Sequence, residues 1–305
     1  MTVLLSGFTA PQVPKSGAWA MPEEYSSFGD ALWTLLGNAM ETLHPNLTEC
    51  ANICFSILVV VLLISVLKLF PGARENLADF VGAVGISVIL LDSSNSLVNL
   101  SVETVTEISH YGKLLLPVMA SAMAAQGCIT TSTALYAGTA MFNAVLGSLI
   151  TELIVPAVYM FLTLSVAYAA LGEEILKNLA GVIKGISTWI LKTILYVFTV
   201  YIGITGVVSG STDAMTLKAA KMTISWAVPM VGGILADASE AVLVGAGVVK
   251  NAAGIYGILA ILSLFAGPFL KIGCQYLLIK LTGTICSIFG TKRSTDLIGV
   301  FSVTV

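Results

Sequence analysis

Between residues 51 and 290 the chain is a near-continuous series of apolar runs that charged residues rarely interrupt. That feature fixes the solvent before anything else is known. A water-soluble domain holds its surface in water with about a quarter of its residues as Asp, Glu, Lys and Arg. Here they make up 10% of 305 residues, against 57% hydrophobic residues, and mean hydropathy is +0.95. Most of the outer surface therefore faces lipid. The reading is an all-α fold: a polytopic integral membrane helical bundle with short, broken or re-entrant helices. Function is then to be sought in the few polar groups kept among the apolar segments.

The same numbers exclude several classes. Net charge is −3 and the lysines are scattered, so there is no basic stripe for nucleic acid. The five cysteines form no CxxC pair and no disulfide framework. Cys50 and Cys54 are four apart, a metal-ligand spacing, but His44 and His110 lie far from each other, and small apolar fillers is the better reading. Neither GxGxxG in a βαβ context, nor a Walker lysine, nor HExxH is present. The spans carry no Ser/His/Asp set and no paired histidines, so hydrolysis within the membrane lacks a nucleophile and a base. No enzyme and no cofactor is expected.

Residues 1–25, with Pro11, Pro14 and Pro22, read as irregular. The run Val3-Leu4-Leu5 is too short for a signal peptide core and no basic residue follows Met1, so a chain whose signal has been removed is expected. Phe28, Leu32, Leu35, Leu36, Ala39 and Leu43 recur at helical spacing behind Ser27-x-x-Asp30, which predicts an amphipathic helix over 27–43 ending near His44-Pro45. It lies on the membrane surface, docks on a partner or packs on its own bundle. The division is an extracytoplasmic segment 1–50, a first membrane half 51–150 and a second half 151–305.

Hydropathy places apolar pieces at 51–70, 77–91, 114–126, 134–150, 153–171, 189–209, 222–236, 241–249, 252–270 and 273–289. A polar amphipathic stretch covers 93–112, an uncharged polar turn 127–133, and an interfacial amphipathic helix 173–187 with Glu173, Glu174, Lys177 and Lys184 on its wet side. Pieces of 13–15 residues are too short to cross alone at 1.5 Å per residue. They are re-entrant or broken helices, or they borrow polar neighbours. Before residue 51 there is one lysine against five acids, and Lys68 and Arg74 follow the first span. The positive-inside bias puts the N-terminus outside; lysines beyond 200 fall on too many sides to orient the rest. Pro117 and Pro156 are 39 residues apart, as are Pro229 and Pro268, an interval that suggests an internal duplication of the kind found in transport proteins.

An ion in hydrocarbon costs at least about 2.5–3.5 kcal/mol, so each one there needs a partner or a task. Glu152 sits between two apolar runs, either at a helix junction near the headgroups or facing a cavity. Asp237 and Glu240 are one turn apart and share a face; they form a polar site with Lys250 and Asn251 if the segment folds back, or a wet turn if it does not. Asn143 brings neutral hydrogen-bonding capacity to the first half, usually a helix–helix contact. Pro117, Pro156, Pro229, Gly232, Gly233 and Pro268 are the candidate helix breaks. Gly181/Gly185 and Gly206/Gly210 have the spacing of close helix approach.

The run Thr216-Leu-Lys-Ala-Ala-Lys-Met-Thr-Ile-Ser-Trp-Ala-Val-Pro-Met-Val-Gly-Gly-Ile-Leu-Ala-Asp-Ala-Ser-Glu, continuing through Val249-Lys-Asn-Ala-Ala-Gly, resembles the stage III sporulation protein AE family of endospore-forming bacteria. The resemblance covers roughly residues 26–300. Members usually open with a signal peptide and carry a further apolar segment beyond the position of Val305, two departures at the ends. The resemblance implies a mother-cell (outer forespore) membrane component of the channel complex linking mother cell and forespore. Its partners would be other membrane proteins of that complex, a cytoplasmic secretion-type ATPase, the lipid bilayer and further copies of itself, with no nucleic acid. It maps the motif onto Pro229, Gly232, Gly233, Asp237, Lys250, Asn251 and Gly254 and carries over no catalytic residue. Two rival readings stay open: a self-sufficient secondary transporter using Asp237, Glu240, Lys250 and Glu152, and a membrane scaffold that conducts nothing.

Overall fold

The computed structural model describes residues 11–22, 28–41, 43–69, 75–227, 232–289, 295, 297–299 and 301. It is 93% helical and, among the described residues, without strands. The elements are α1 (Lys15–Ala18), α2 (Phe28–Glu41), α3 (Leu43–Leu67), α4 (Glu75–Ala125), α5 (Ile129–Leu149), a π-helical segment (Ile150–Ile154), α6 (Val155–Leu171), α7 (Glu174–Ala227) and α8 (Gly232–Phe289). Among the described residues, five helical stretches are long and apolar enough to cross a membrane: Phe28–Leu67, Phe80–Ala125, Ile129–Leu171, Glu174–Tyr201 and Gly254–Ile288. The protein is an all-α, polytopic membrane protein.

The amphipathic helix expected over 27–43 is α2, but its buried face is narrow. Ala31, Leu35 and Ala39 are buried, whereas Phe28, Trp33, Leu36 and Met40 are exposed. α2 runs to Glu41, and His44-Pro45 lie in the first turn of α3, where a proline has no amide whose loss matters. The short apolar pieces gain length from polar neighbours. Residues 77–91, 93–112 and 114–125 belong to one helix, α4. Its hydroxyls fold back onto the backbone one turn earlier: Ser87 Oγ donates to the Ala83 carbonyl at 2.6 Å, Ser101 to Leu97 at 2.8 Å and Thr104 to Leu100 at 2.7 Å. A hydroxyl satisfied in this way lets a polar stretch remain helical among apolar neighbours. α4 continues through Pro117 and α8 through Pro268; each proline removes one amide donor, and neither helix ends there.

True stops are made by glycine. Gly127 ends α4 at φ 81°, with its amide on the Ala124 carbonyl at 2.9 Å and that of Cys128 on Met123 at 3.0 Å, the paired bonds of a Schellman cap. The polar turn expected at 127–133 is shorter than that: residues 129–133 already form the first turns of α5. Gly172 ends α6 at φ 79° with a bond to the Tyr168 carbonyl at 2.7 Å.

The chain forms two compact units, and α2, α4, α5, α7 and α8 contribute to both. The first comprises Met1–Leu32, Thr106–Gly147 and Lys192–Leu264. Its core gathers Tyr111, Ala260 and Leu264 with Val13, Met21, Ile108 and Leu115. Gly17 lies so close to α8 that a Cβ there would stand 2.8 Å from the Leu264 amide nitrogen. The second comprises Trp33–Val105, Ser148–Leu191 and Phe265–Val305. Ile57 and Val61 of α3, Ile86 and Leu90 of α4, Leu162 of α6 and Ile279 of α8 pack there with Leu297, Ile298 and Phe301.

Candidate functional site

In the second unit, three helices turn polar faces toward one another. α3 supplies Glu49, Asn52 and Ser56, spaced three and four residues apart and so aligned on one face. α4 supplies Asp92, Ser93 and Ser96 by the same rule, and α8 supplies Gln275. They line a cavity of about 620 Å³, with Ile53, Val88 and Ile89 as its apolar wall.

Two cross-helix contacts frame it. Lys271, one turn before Gln275, places Nζ 3.0 Å from Glu49 Oε1, with side chains 22% and 51% exposed. Gln275 Nε2 donates to Ser93 Oγ, and both residues are buried. A buried amide must find partners or lose hydration at a cost of about 1–3 kcal/mol, which ties α8 to α4 at this level. Asp92 has neither an ion pair nor a hydrogen bond among the described residues. With Glu49 paired to Lys271, the exposed Asp92 is the one acid of the lining without a cation partner among the described residues. Such a wall attracts cations and polar solutes and repels anions. Cys50 and Cys54, flanking Glu49 and Ile53 on α3, are buried with free thiols, as packing rather than lining.

A smaller cavity of about 220 Å³ lies between α4 and the π-helical segment, walled mainly by apolar side chains such as Leu97, Val98 and Ile154. The π segment has a local cause. Pro156 has no amide to give the Glu152 carbonyl, and its ring would crowd that carbonyl in an α turn. The wider turn relieves both, with the Val155 amide bonded to the Ile150 carbonyl five residues back. Tyr159 Oη, on the next turn, donates to Asn95 Oδ1 at 2.6 Å.

The candidate residues read from the sequence are distributed as follows. Glu152 lies in the π segment of the second unit with an exposed side chain. Asn143, in the first unit, donates from Nδ2 to the Ser109 carbonyl at 3.0 Å, a contact between α5 and α4. Asn251 is exposed on α8. Asp237, Glu240 and Lys250 fall on α8, Gly232 and Gly233 are its first two residues, and the side chains of those three charged residues, like Pro229, lie outside the described residues. Gly181 and Gly185 face open space, with nothing within 4 Å of where a Cβ would stand. The close approach falls at Gly138 instead, where the Tyr201 ring of α7 crosses α5. Tyr201 Oη donates to the Ala134 carbonyl at 2.8 Å, and Phe142 and Phe198 stack beside it with centroids 3.6 Å apart.

Sequence pattern alone does not single out Glu49, Asp92, Ser93, Lys271 or Gln275. The available signal was Lys271: a lysine inside an apolar stretch with no local acid requires a distant one.

The model of the stage III sporulation protein AE family matches residues 26–305. A curated relative of that name from Bacillus subtilis (strain 168) is 22% identical over 203 residues, 67% of this chain and 51% of the relative. The chain thus spans about half the length of that relative. No solved structure matches it.

Proposed function

Because the chain belongs to the stage III sporulation protein AE family, we propose that it is a membrane subunit of the secretion or feeding channel complex joining mother cell and forespore during endospore formation. It sits in the mother-cell (outer forespore) membrane with its N-terminus extracytoplasmic. It works with other membrane proteins of the complex and a cytoplasmic secretion-type ATPase, and its role is not catalytic. The observation that carries the reading is the cavity of about 620 Å³ lined from α3, α4 and α8. Polar walls built from three helices within the second unit are what a conduit for hydrophilic cargo needs and what a lipid-filled seam lacks. The motif region bearing Asp237, Glu240, Lys250 and Asn251 is a second polar stretch, in the first unit.

The cavity also suits a secondary transporter, whose substrate site is closed and stoichiometric rather than continuous. Conductance of the full chain in planar bilayers, alone and with its complex partners, separates the readings. For a conduit, Asp92→Asn lowers cation preference by degrees. For a transporter, it abolishes saturable flux while assembly survives. Absence of current and flux from the complete complex, in wild type and variant alike, leaves the scaffold.

A further inference from the structure

In the second unit, α6 and α7 run back from the Gly172 turn and enclose a groove of about 240 Å³. One wall is apolar, formed by Ile154, Ala157 and Phe161; the other carries Lys184, Ser187 and Thr188. The three polar residues are spaced three and four apart, so they form one patch on α7. Lys177, two turns earlier, lies over the Tyr168 ring at 5.5 Å, a cation–π contact. Lys184 has no counterpart: it is exposed and makes no ion pair or hydrogen bond among the described residues. The nearest acids on its own helix side, Glu173 and Glu174, are ten or more residues away, about 15 Å along the axis. Yet the span Glu174–Tyr201 is long and apolar enough to cross a membrane, and none of its most apolar window is buried inside the protein, so Lys184 stands on the outer surface of an apolar span.

A lysine in that setting requires an anion, and the groove beside it requires hydrocarbon. We propose that the α6–α7 groove holds one anionic phospholipid, with its phosphate on Lys184 and Thr188 and an acyl chain along Ile154, Ala157 and Phe161. Thr188 donates no hydrogen bond among the described residues, so its hydroxyl proton is available to a phosphate oxygen. Ser187 has given its proton to the Ile183 carbonyl at 2.9 Å, so its oxygen is an acceptor, suited to a hydroxylated headgroup such as glycerol. Inorganic phosphate shares the anionic chemistry but leaves the apolar wall without a partner.

The test uses the purified full chain in detergent micelles with equal mole fractions of dioleoylphosphatidylglycerol and dioleoylphosphatidylcholine, read by native mass spectrometry. The wild type retains the glycerol lipid preferentially; Lys184→Gln lowers that retention about fivefold, and Lys184→Arg and Lys192→Gln leave it in place. Equal retention by wild type and Lys184→Gln, or displacement of the lipid by millimolar inorganic phosphate, overturns the proposal. A photoactivatable phosphatidylglycerol on the unmodified chain gives a readout that needs no variant. Crosslinks within 154–161 and 183–191 support the site, and crosslinks spread along all spans refute it.

Discussion

Gly138 is a position in the first unit where the packing admits little change. The Tyr201 ring lies across α5 at this residue, and an added Cβ would fall onto Cε1, Cζ and Oη. The ring cannot swing aside freely, because Oη is fixed to the Ala134 carbonyl at 2.8 Å and the Phe142–Phe198 stack stands one turn further along. Gly138→Ala therefore forces a shift that costs about 1–3 kcal/mol as overpacking, plus about 1 kcal/mol if the hydrogen bond breaks. Against this, alanine in a helix gains up to about 1 kcal/mol over glycine. The net loss in the wild type is about 1–3 kcal/mol. In a Tyr201→Ala background the obstacle is gone and the same substitution becomes neutral or stabilising. A double-mutant cycle by reversible SDS titration in mixed micelles should give a coupling of about 2–4 kcal/mol between the two sites. A coupling below about 0.5 kcal/mol, the range of independent sites, would refute the claim that the ring occupies the space over Gly138.

Gln275→Leu should lower stability by about 1–2 kcal/mol in the same titration, since Ser93 Oγ loses its cross-helix donor inside the protein; an unchanged midpoint would mean α8 and α4 are held by other contacts. Glu49→Gln should cost less than about 1 kcal/mol because the Lys271 pair is partly exposed, and the difference from wild type should shrink at high salt. Asn143→Ala should cost about 0.6 kcal/mol, the mean of hydrogen bonds between membrane helices, since the Ser109 carbonyl keeps its place in α4. Gly172→Ala should cost about 1–2 kcal/mol, the penalty for a side chain in the left-handed region, read as a lower apparent Tm.

How much of this was legible depended on whether the cause was local. The shortage of charge alone gave lipid-facing helices, and the spacing of Leu35 and Ala39 gave α2. The run at 216–254 gave the family. Gly127 gave the turn after α4, but the polar residues 130–133 read as part of it are the opening of α5. Residues 93–112 looked separate because hydropathy weighs a serine as polar, whereas Ser101 and Thr104 bond within their own helix. The cavity was out of reach for a different reason: Glu49 and Lys271 are 222 positions apart, and no periodicity connects them. Glycine spacing pointed to Gly181 and Gly185, but spacing records only that a helix can be approached. At Gly138 the approach needs Tyr201, and a ring 63 residues away leaves no mark on the local pattern.

The wide turn ahead of Pro156 also bears on how this chain tolerates insertions and deletions. A π turn is an α turn holding one residue too many, so the surplus is absorbed there and the helix beyond it keeps its phase. Deleting one residue of Ile150–Ile154 would close the segment to an α turn and leave Ala157, Phe161 and Ser165, now buried, facing the core. What the deletion brings back is the clash of the Pro156 ring with the carbonyl four residues before it. A one-residue deletion there should therefore be tolerated only together with replacement of Pro156. A deletion in the regular turn that follows would instead rotate the rest of α6 by about 100°, the advance of a single α-helical residue.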